Sequence, residues 1–174
     1  MKYLVNFFVI TFLLTYSSIA FSTEKIVYIN MKDILNKSLA GDYINNEIKK
    51  IHSNHTSEFK IAQQKLKDEE NKILAQKNIL SESEYKKKVN LLKKKIKSYQ
   101  VRQNKKIDDL NNKRIVAKTK LLDNLNIILT EYSKENDISF ILKKEDIIVA
   151  KKNLNITSDI IKILDNKIQK IPLN

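Results

Sequence analysis

His52 and His55, three residues apart and followed after three more by Glu58, form the group in this 174-residue chain whose spacing most suggests chemistry. On a helix such positions share one side, as imidazole and carboxylate ligands do around a divalent metal. Nothing nearby in sequence completes a tetrahedral set, so the triplet reads as a solvated helix face. The chain has no cysteine, hence no thiolate ligand, thiol nucleophile or disulfide. Its lone glycine, Gly41, excludes a glycine-rich phosphate loop. Two histidines on one helix face do not make a Ser–His–Asp array. We therefore expect no catalytic residue, metal site or cofactor, and no enzyme.

The remaining reactive groups are lysines, and they are concentrated. Residues 60–120 carry 19 Lys+Arg against 7 Asp+Glu, whereas residues 23–59 balance at 5 and 5 and residues 121–174 at 8 and 8. With Lys2 these sum to the net charge of +13. A coding bias towards Lys, Asn and Ile would raise the total without localising it, so the distribution carries the information. A neutral base bearing a cationic projection suits a device for holding something long, soft and partly acidic or apolar.

The elements that position these lysines follow from hydrophobic period. Residues 1–22 read as a secretory signal: Lys2, an apolar stretch from Tyr3 to Tyr16, and small residues allowing cleavage after Ala20 or Ser22. That stretch is short against the ~20 residues of a bilayer span. Residues 25–30 are apolar and β-branched, and predict a strand with both faces partly buried; one helical turn follows. Residues 36–41 predict a corner, with Gly41 supplying a conformation other residues resist.

From Asp42 apolar residues recur at Ile44, Ile48, Ile51, Phe59, Ala62, Leu66 and Ile73, a narrow stripe like a coiled-coil seam. Ser81-Glu82-Ser83-Glu84 is a capping box that opens a return helix. The return stripe runs through Tyr85, Val89, Leu92, Ile96, Tyr99, Ile107, Leu110, Ala117, Leu121, Leu125, Ile128 and Tyr132, interrupted at Gln103 and Arg114. A helix of about 50 residues spans roughly 75 Å, too long for a globule of this mass to enclose, so the hairpin projects.

Residues 138–142 and 147–150 then predict the two strands of a β-hairpin, and Thr157-Ser158-Asp159 predicts the cap of a last helix over 160–168. The expected class is α+β, mostly α: a helical hairpin (42–136) on a small β body (23–41 with 137–174). Three short strands and one helix bury little apolar area. Several copies are therefore expected to share one core, through Ile26, Tyr28, Ile138, Phe140 and Ile148.

These features, in this order, resemble the Skp (OmpH-like) periplasmic chaperones. The matching features are the signal sequence, Ile26-Val27-Tyr28-Ile29-Asn30-Met31 with Asp33-Ile34-Leu35, Asn36-Lys37-Ser38 before Gly41, Leu80-Ser81-Glu82-Ser83-Glu84-Tyr85 at the hairpin tip, and the closing strand pair before Thr157-Ser158-Asp159-Ile160-Ile161. The resemblance implies a periplasmic homotrimer, in which a shared β body carries three helical tentacles around a cavity. It implies an ATP-independent holdase for unfolded outer-membrane proteins, with lipopolysaccharide as a further partner class; the clustered lysines would also attract the headgroups of anionic lipid.

On that reading Lys86, Lys87, Lys88, Lys93, Lys94, Lys95 and Lys97 steer acidic clients, an attraction that salt weakens. Phe59, Leu66, Tyr85, Leu92, Ile96 and Tyr99 offer them apolar contacts, or else only close the seam between the helices. Arginine, the residue of base readout, occurs only as Arg102 and Arg114, and an exported chain meets little nucleic acid, so no specific nucleic-acid partner is expected. A structural spacer or adaptor of the cell envelope is the alternative function.

Overall fold

Residues 24–173 are described by the computed structural model, and the expected signal sequence lies outside them. Strand β1 (Lys25–Ile29) leads into helix α1 (Met31–Lys37), then into two long helices, α2 (Leu39–Ala75) and α3 (Glu82–Glu135). Strand β2 (Ile138–Lys143) follows, then two short 3-10 turns (Lys144–Asp146 and Lys152–Leu154) and helix α4 (Thr157–Lys167). At 54 residues α3 is roughly 80 Å long, and α2, at 37 residues, roughly 55 Å. No described helix is long and apolar enough to cross a membrane.

Side chains at the helix starts set the path of the N-terminal segment. Asn30 Oδ1 accepts from Asp33 N–H at 3.0 Å to open α1. Ser38, wholly buried, both ends α1 and caps α2, its Oγ accepting from Gly41 N–H at 3.2 Å. The corner is therefore one residue wide. Gly41 lies inside the first turn of α2 without a positive φ, contrary to the expectation of an unusual backbone conformation. Its need for glycine is one of space: a Cβ there would sit 2.2 Å from the Leu35 carbonyl oxygen.

The sheet differs from expectation. β2 pairs with β1, in parallel, with Ile26 opposite Phe140 and Tyr28 opposite Leu142. Residues 147–150 form no strand; they run as an irregular segment after the first 3-10 turn. Lys143 ends β2, and Lys144–Asp146 wind into a 3-10 turn in place of the expected hairpin loop. Residues 143–146 are Lys-Lys-Glu-Asp, and the one non-glycine residue with positive φ among the described residues is Asp137 (φ 51°), which turns the chain from α3 into β2. That turn aims β2 alongside β1. Within β1, Val27 and Ile29 point into the core, while Ile26 and Tyr28 point outward.

Helix α4 starts at Thr157, and its N-cap position, Ile156, contributes no side-chain bond, so the expected polar cap is not used. Thr157 Oγ1 instead accepts from Asn30 N–H at 2.8 Å, tying α4 to the end of β1. Ile34, Ile160 and Leu164 are fully buried, and Ala117, Leu121 and Leu125 nearly so. The core thus joins α1, α4 and the feet of α2 and α3. Leu39 N–H, donating to Asp165 Oδ1 at 2.7 Å, and Lys167, 2.5 Å from Glu131, fasten its edges.

Candidate functional site: the helical hairpin and the exposed body

The tip is organised by the capping box. Glu84 N–H donates to Ser81 Oγ at 3.3 Å, and Glu84 Oε2 accepts from Ser81 N–H at 3.2 Å. Bonds from the Ser81 hydroxyl and then its backbone N–H hold the Glu84 carboxyl below the usual carboxylate range. Lys86 pairs with Glu82 within the first turn of α3, and Lys88 reaches across the tip to Gln76 Oε1 at 2.7 Å.

Below the tip the two helices meet along the expected stripe. Leu92 is buried, and Phe59, Leu66, Tyr85, Ile96 and Tyr99 are half-buried. Phe59 and Tyr99 stack edge-to-face with ring centroids 5.8 Å apart, and Tyr99 OH donates to the Phe59 carbonyl at 3.5 Å. All these residues sit on the seam, and Phe59 and Tyr99 also border grooves on its flanks. Of the expected steering lysines, Lys86 and Lys95 are ion-paired and Lys88 hydrogen-bonded. Lys87, Lys93, Lys94 and Lys97 are exposed and make no ion pair among the described residues.

The two flanks of the hairpin differ in chemistry. One is stapled. Lys95 Nζ lies 2.6 Å from Glu69 Oε1, and Lys106 bonds Glu58. That bond, and then the lysine charge, lower the Glu58 pKa from its ordinary value. Further down, Lys170 of the C-terminal tail lies 5.8 Å from the centre of the Tyr43 ring, Lys113 Nζ donates to the Leu173 carbonyl at 3.0 Å, and Ile171 is buried. On α3, Lys95 and Lys106 lie eleven residues apart and Lys106 and Lys113 seven apart, close to three and two turns, so tail and ion pairs share a side.

The other flank is open. A cavity of about 570 Å³ there is lined by His52, His55, Thr56, Phe59, Lys60, Gln63, Tyr99, Gln103, Ile107, Leu110, Asn111 and Arg114. A second of about 410 Å³ shares Arg114 and continues to Lys118, Asn45 and Lys32. Neither lining contains a carboxylate. His52 and His55 face this groove, whereas Glu58, the third member of their sequence triplet, is engaged by Lys106. No cluster of three or more metal-ligating side chains occurs among the described residues. Gln103 and Arg114, which the stripe pattern marks only as interruptions, are groove-lining residues. Their polarity is the signal: a polar residue breaking a seam sits where the seam opens to water.

On the body, outward-facing apolar residues collect around the sheet. Ile26, Phe140 and Leu142 are about half exposed, Val149 is 88% exposed and Ile148 completely so, while Tyr28 and Ile138 are half-buried. Ile26, Leu142, Ile147 and Val149 line a groove of about 650 Å³. Soluble monomers rarely leave a contiguous patch of this kind uncovered.

Comparison with known proteins places this architecture. A crystal structure of an OmpH-like protein from Caulobacter crescentus, assigned as an outer membrane chaperone, superposes with a TM-score of 0.81, covering 88% of this chain and 90% of that one at 16% identity. At that identity the likeness speaks for the fold. None of the curated proteins compared matches the chain. The sequence model of the outer membrane protein (OmpH-like) family matches residues 25–164, from the start of β1 into α4, and the chain belongs to that family.

Proposed function

We propose that this protein is an ATP-independent holdase of the periplasm, not an enzyme, that keeps unfolded outer-membrane β-barrel proteins from aggregating. It works as a homotrimer whose bodies share a core and whose hairpins surround the client. The observation that carries the reading is the hairpin itself: a rod of roughly 80 Å with a surplus of cationic charge and unpaired lysines along its distal half. Long-range attraction gathers an acidic unfolded chain, and many weak apolar contacts retain it. The exposed Ile26, Phe140, Ile148 and Val149, with an edge of β2 left unpaired, support assembly through the body. Membership of the OmpH-like family agrees with both parts.

The test is dilution of a urea-denatured outer-membrane β-barrel protein into buffer with or without this protein, across a salt series and without nucleotide. Turbidity should fall at near-stoichiometric trimer, and the protection should weaken as salt rises. A chain shortened by excising residues 60–98, just beyond the Phe59–Tyr99 contact, should still sediment as a trimer yet lose protection. Undiminished aggregation with the full chain would identify a spacer rather than a carrier, and protection by the shortened chain would remove the hairpin from the mechanism.

A further inference from the structure

The stapled and open flanks of the hairpin are unequal as binding surfaces. On the stapled flank Glu58, Glu69 and Asp109 lie among the lysines, and two of these carboxylates are already engaged by Lys106 and Lys95. The open flank has Lys60, Arg114, Lys118 and Lys32 with His52 and His55, and no carboxylate in either cavity lining. Arg114 makes no ion pair among the described residues. Its floor is apolar, formed by Phe59, Tyr99, Ile107 and Leu110, and its walls carry the amides of Gln63, Gln103 and Asn111.

We propose that this acid-free groove is a docking surface for one extended polypeptide segment with apolar side chains at alternate positions and carboxylates between them. The inference rests on the holdase reading and adds which flank grips and what it selects. From Asn45 to Gln63 the groove follows α2 for 18 residues, about 27 Å at 1.5 Å per residue. An extended chain advances about 3.3 Å per residue, so some eight residues fit. Successive side chains of such a segment point to opposite sides. One set lies on the Phe59–Tyr99–Ile107–Leu110 floor, and the other meets Lys60, Arg114 and Lys118 at the rim. The wall amides offer donors and acceptors to its backbone without reading its sequence, which suits a carrier of many clients. The same segment on the stapled flank would place its carboxylates against Glu58, Glu69 and Asp109.

The test uses a fluorescein-labelled ten-residue peptide of alternating Leu/Tyr and Asp/Glu, titrated with the full mature protein and read by anisotropy. Arg114→Glu and Arg102→Glu change the charge equally, on the open and stapled flanks respectively. Arg114→Glu should weaken binding about tenfold, with repulsion replacing a close charge contact, and Arg102→Glu by less than about twofold. Ile107→Asp, which leaves every basic residue in place, should also weaken it. Equal losses in Arg114→Glu and Arg102→Glu, or no loss in either, would overturn the groove in favour of diffuse attraction. Phosphatidylglycerol vesicles that bind through Arg114 while the peptide does not would overturn it in favour of a lipid site. Peptide binding through Arg114 without suppression of client aggregation would keep the groove and remove the holdase reading. Suppression with peptide binding indifferent to Arg114 would do the reverse.

Discussion

Replacing Gly41 by alanine, ordinarily a favourable change in a helix, should destabilise this protein. The gain from helix propensity is about 1 kcal/mol. Against it, the new Cβ would lie 2.2 Å from the Leu35 carbonyl oxygen, 2.7 Å from its carbon and 3.0 Å from Ser38 Oγ, where ordinary contact begins near 3.4 Å. More than an ångström must open. The obstructing atoms are backbone, so the whole end of α1 has to move, and Ile34 one residue earlier is fully buried. Such overpacking costs about 1–3 kcal/mol. The shift also disturbs the bond from Gly41 N–H to Ser38 Oγ, a cap worth about 1 kcal/mol. The net expectation is a loss of about 1–3 kcal/mol. Urea unfolding followed by far-ultraviolet circular dichroism, at one fixed protein concentration because the proposed assembly would contribute to stability, reads it as a lower midpoint. Ser38→Ala, measured alongside, isolates the cap. A Gly41→Ala protein as stable as the parent would show that α1 and α2 are not tightly joined, and the spatial account of the glycine would fail.

Two other outcomes follow from the packing and electrostatics. Leu125→Ala, at a position 1% exposed in the core, should cost about 2–5 kcal/mol, while Leu92→Ala, 7% exposed and outside the core cluster, should fall at or below the lower end; equal costs by urea unfolding would contradict the distinction. Lys106→Gln should raise the Glu58 pKa towards its ordinary value, because the lysine's hydrogen bond and then its charge are what lower it. The sign for stability follows: a carboxyl with a lowered folded pKa stabilises above its unfolded pKa, and that contribution is lost as pH falls through the folded value. An NMR titration of the Glu58 carboxyl carbon that is unchanged by Lys106→Gln would refute the pairing.

The long helices were legible because their information is local. The stripe from Ile44 to Ile73 and the return from Tyr85 to Tyr132 repeat at helical spacing, and Ser81 with Glu84 marks the second start unambiguously. β1 was legible for the same reason. The partner of β1 was not: whether residues 138–143 pair with 147–150 or with 25–29 depends on where α3 delivers the chain, and Asp137 settles that by its positive φ. Thr157 misled because its hydroxyl, suited to capping its own helix, serves Asn30 instead. Residues on the seam could be listed from sequence, but the flanks could not be ranked. That required knowing which lysines meet carboxylates across the helix pair, as Lys95 meets Glu69 and Lys106 meets Glu58.

Burial along the hairpin is graded, and on the proposed holdase reading the gradient bears on how such a carrier lets go without nucleotide chemistry. At the foot, Ala117, Leu121, Leu125 and Ile128 are sealed against α1 and α4 in one continuous core, which reaches up α3 only as far as Leu110. Beyond it, Ile73 and Leu92 are the buried apolar side chains; the rest of the distal seam is half-buried and braced by exposed ion pairs. Exposed ion pairs contribute about 0–1 kcal/mol each. Segments with few buried contacts open at lower free energy than the core that anchors them. The base is thus built to hold its shape while the distal rod gives way at small cost. On the proposed reading, a client chain would be held by dispersed weak contacts, so the rod would conform to many sequences and no single contact would prevent a competing acceptor from removing the client. On the same reading a rigid, fully packed rod would bind fewer chains and release them more slowly.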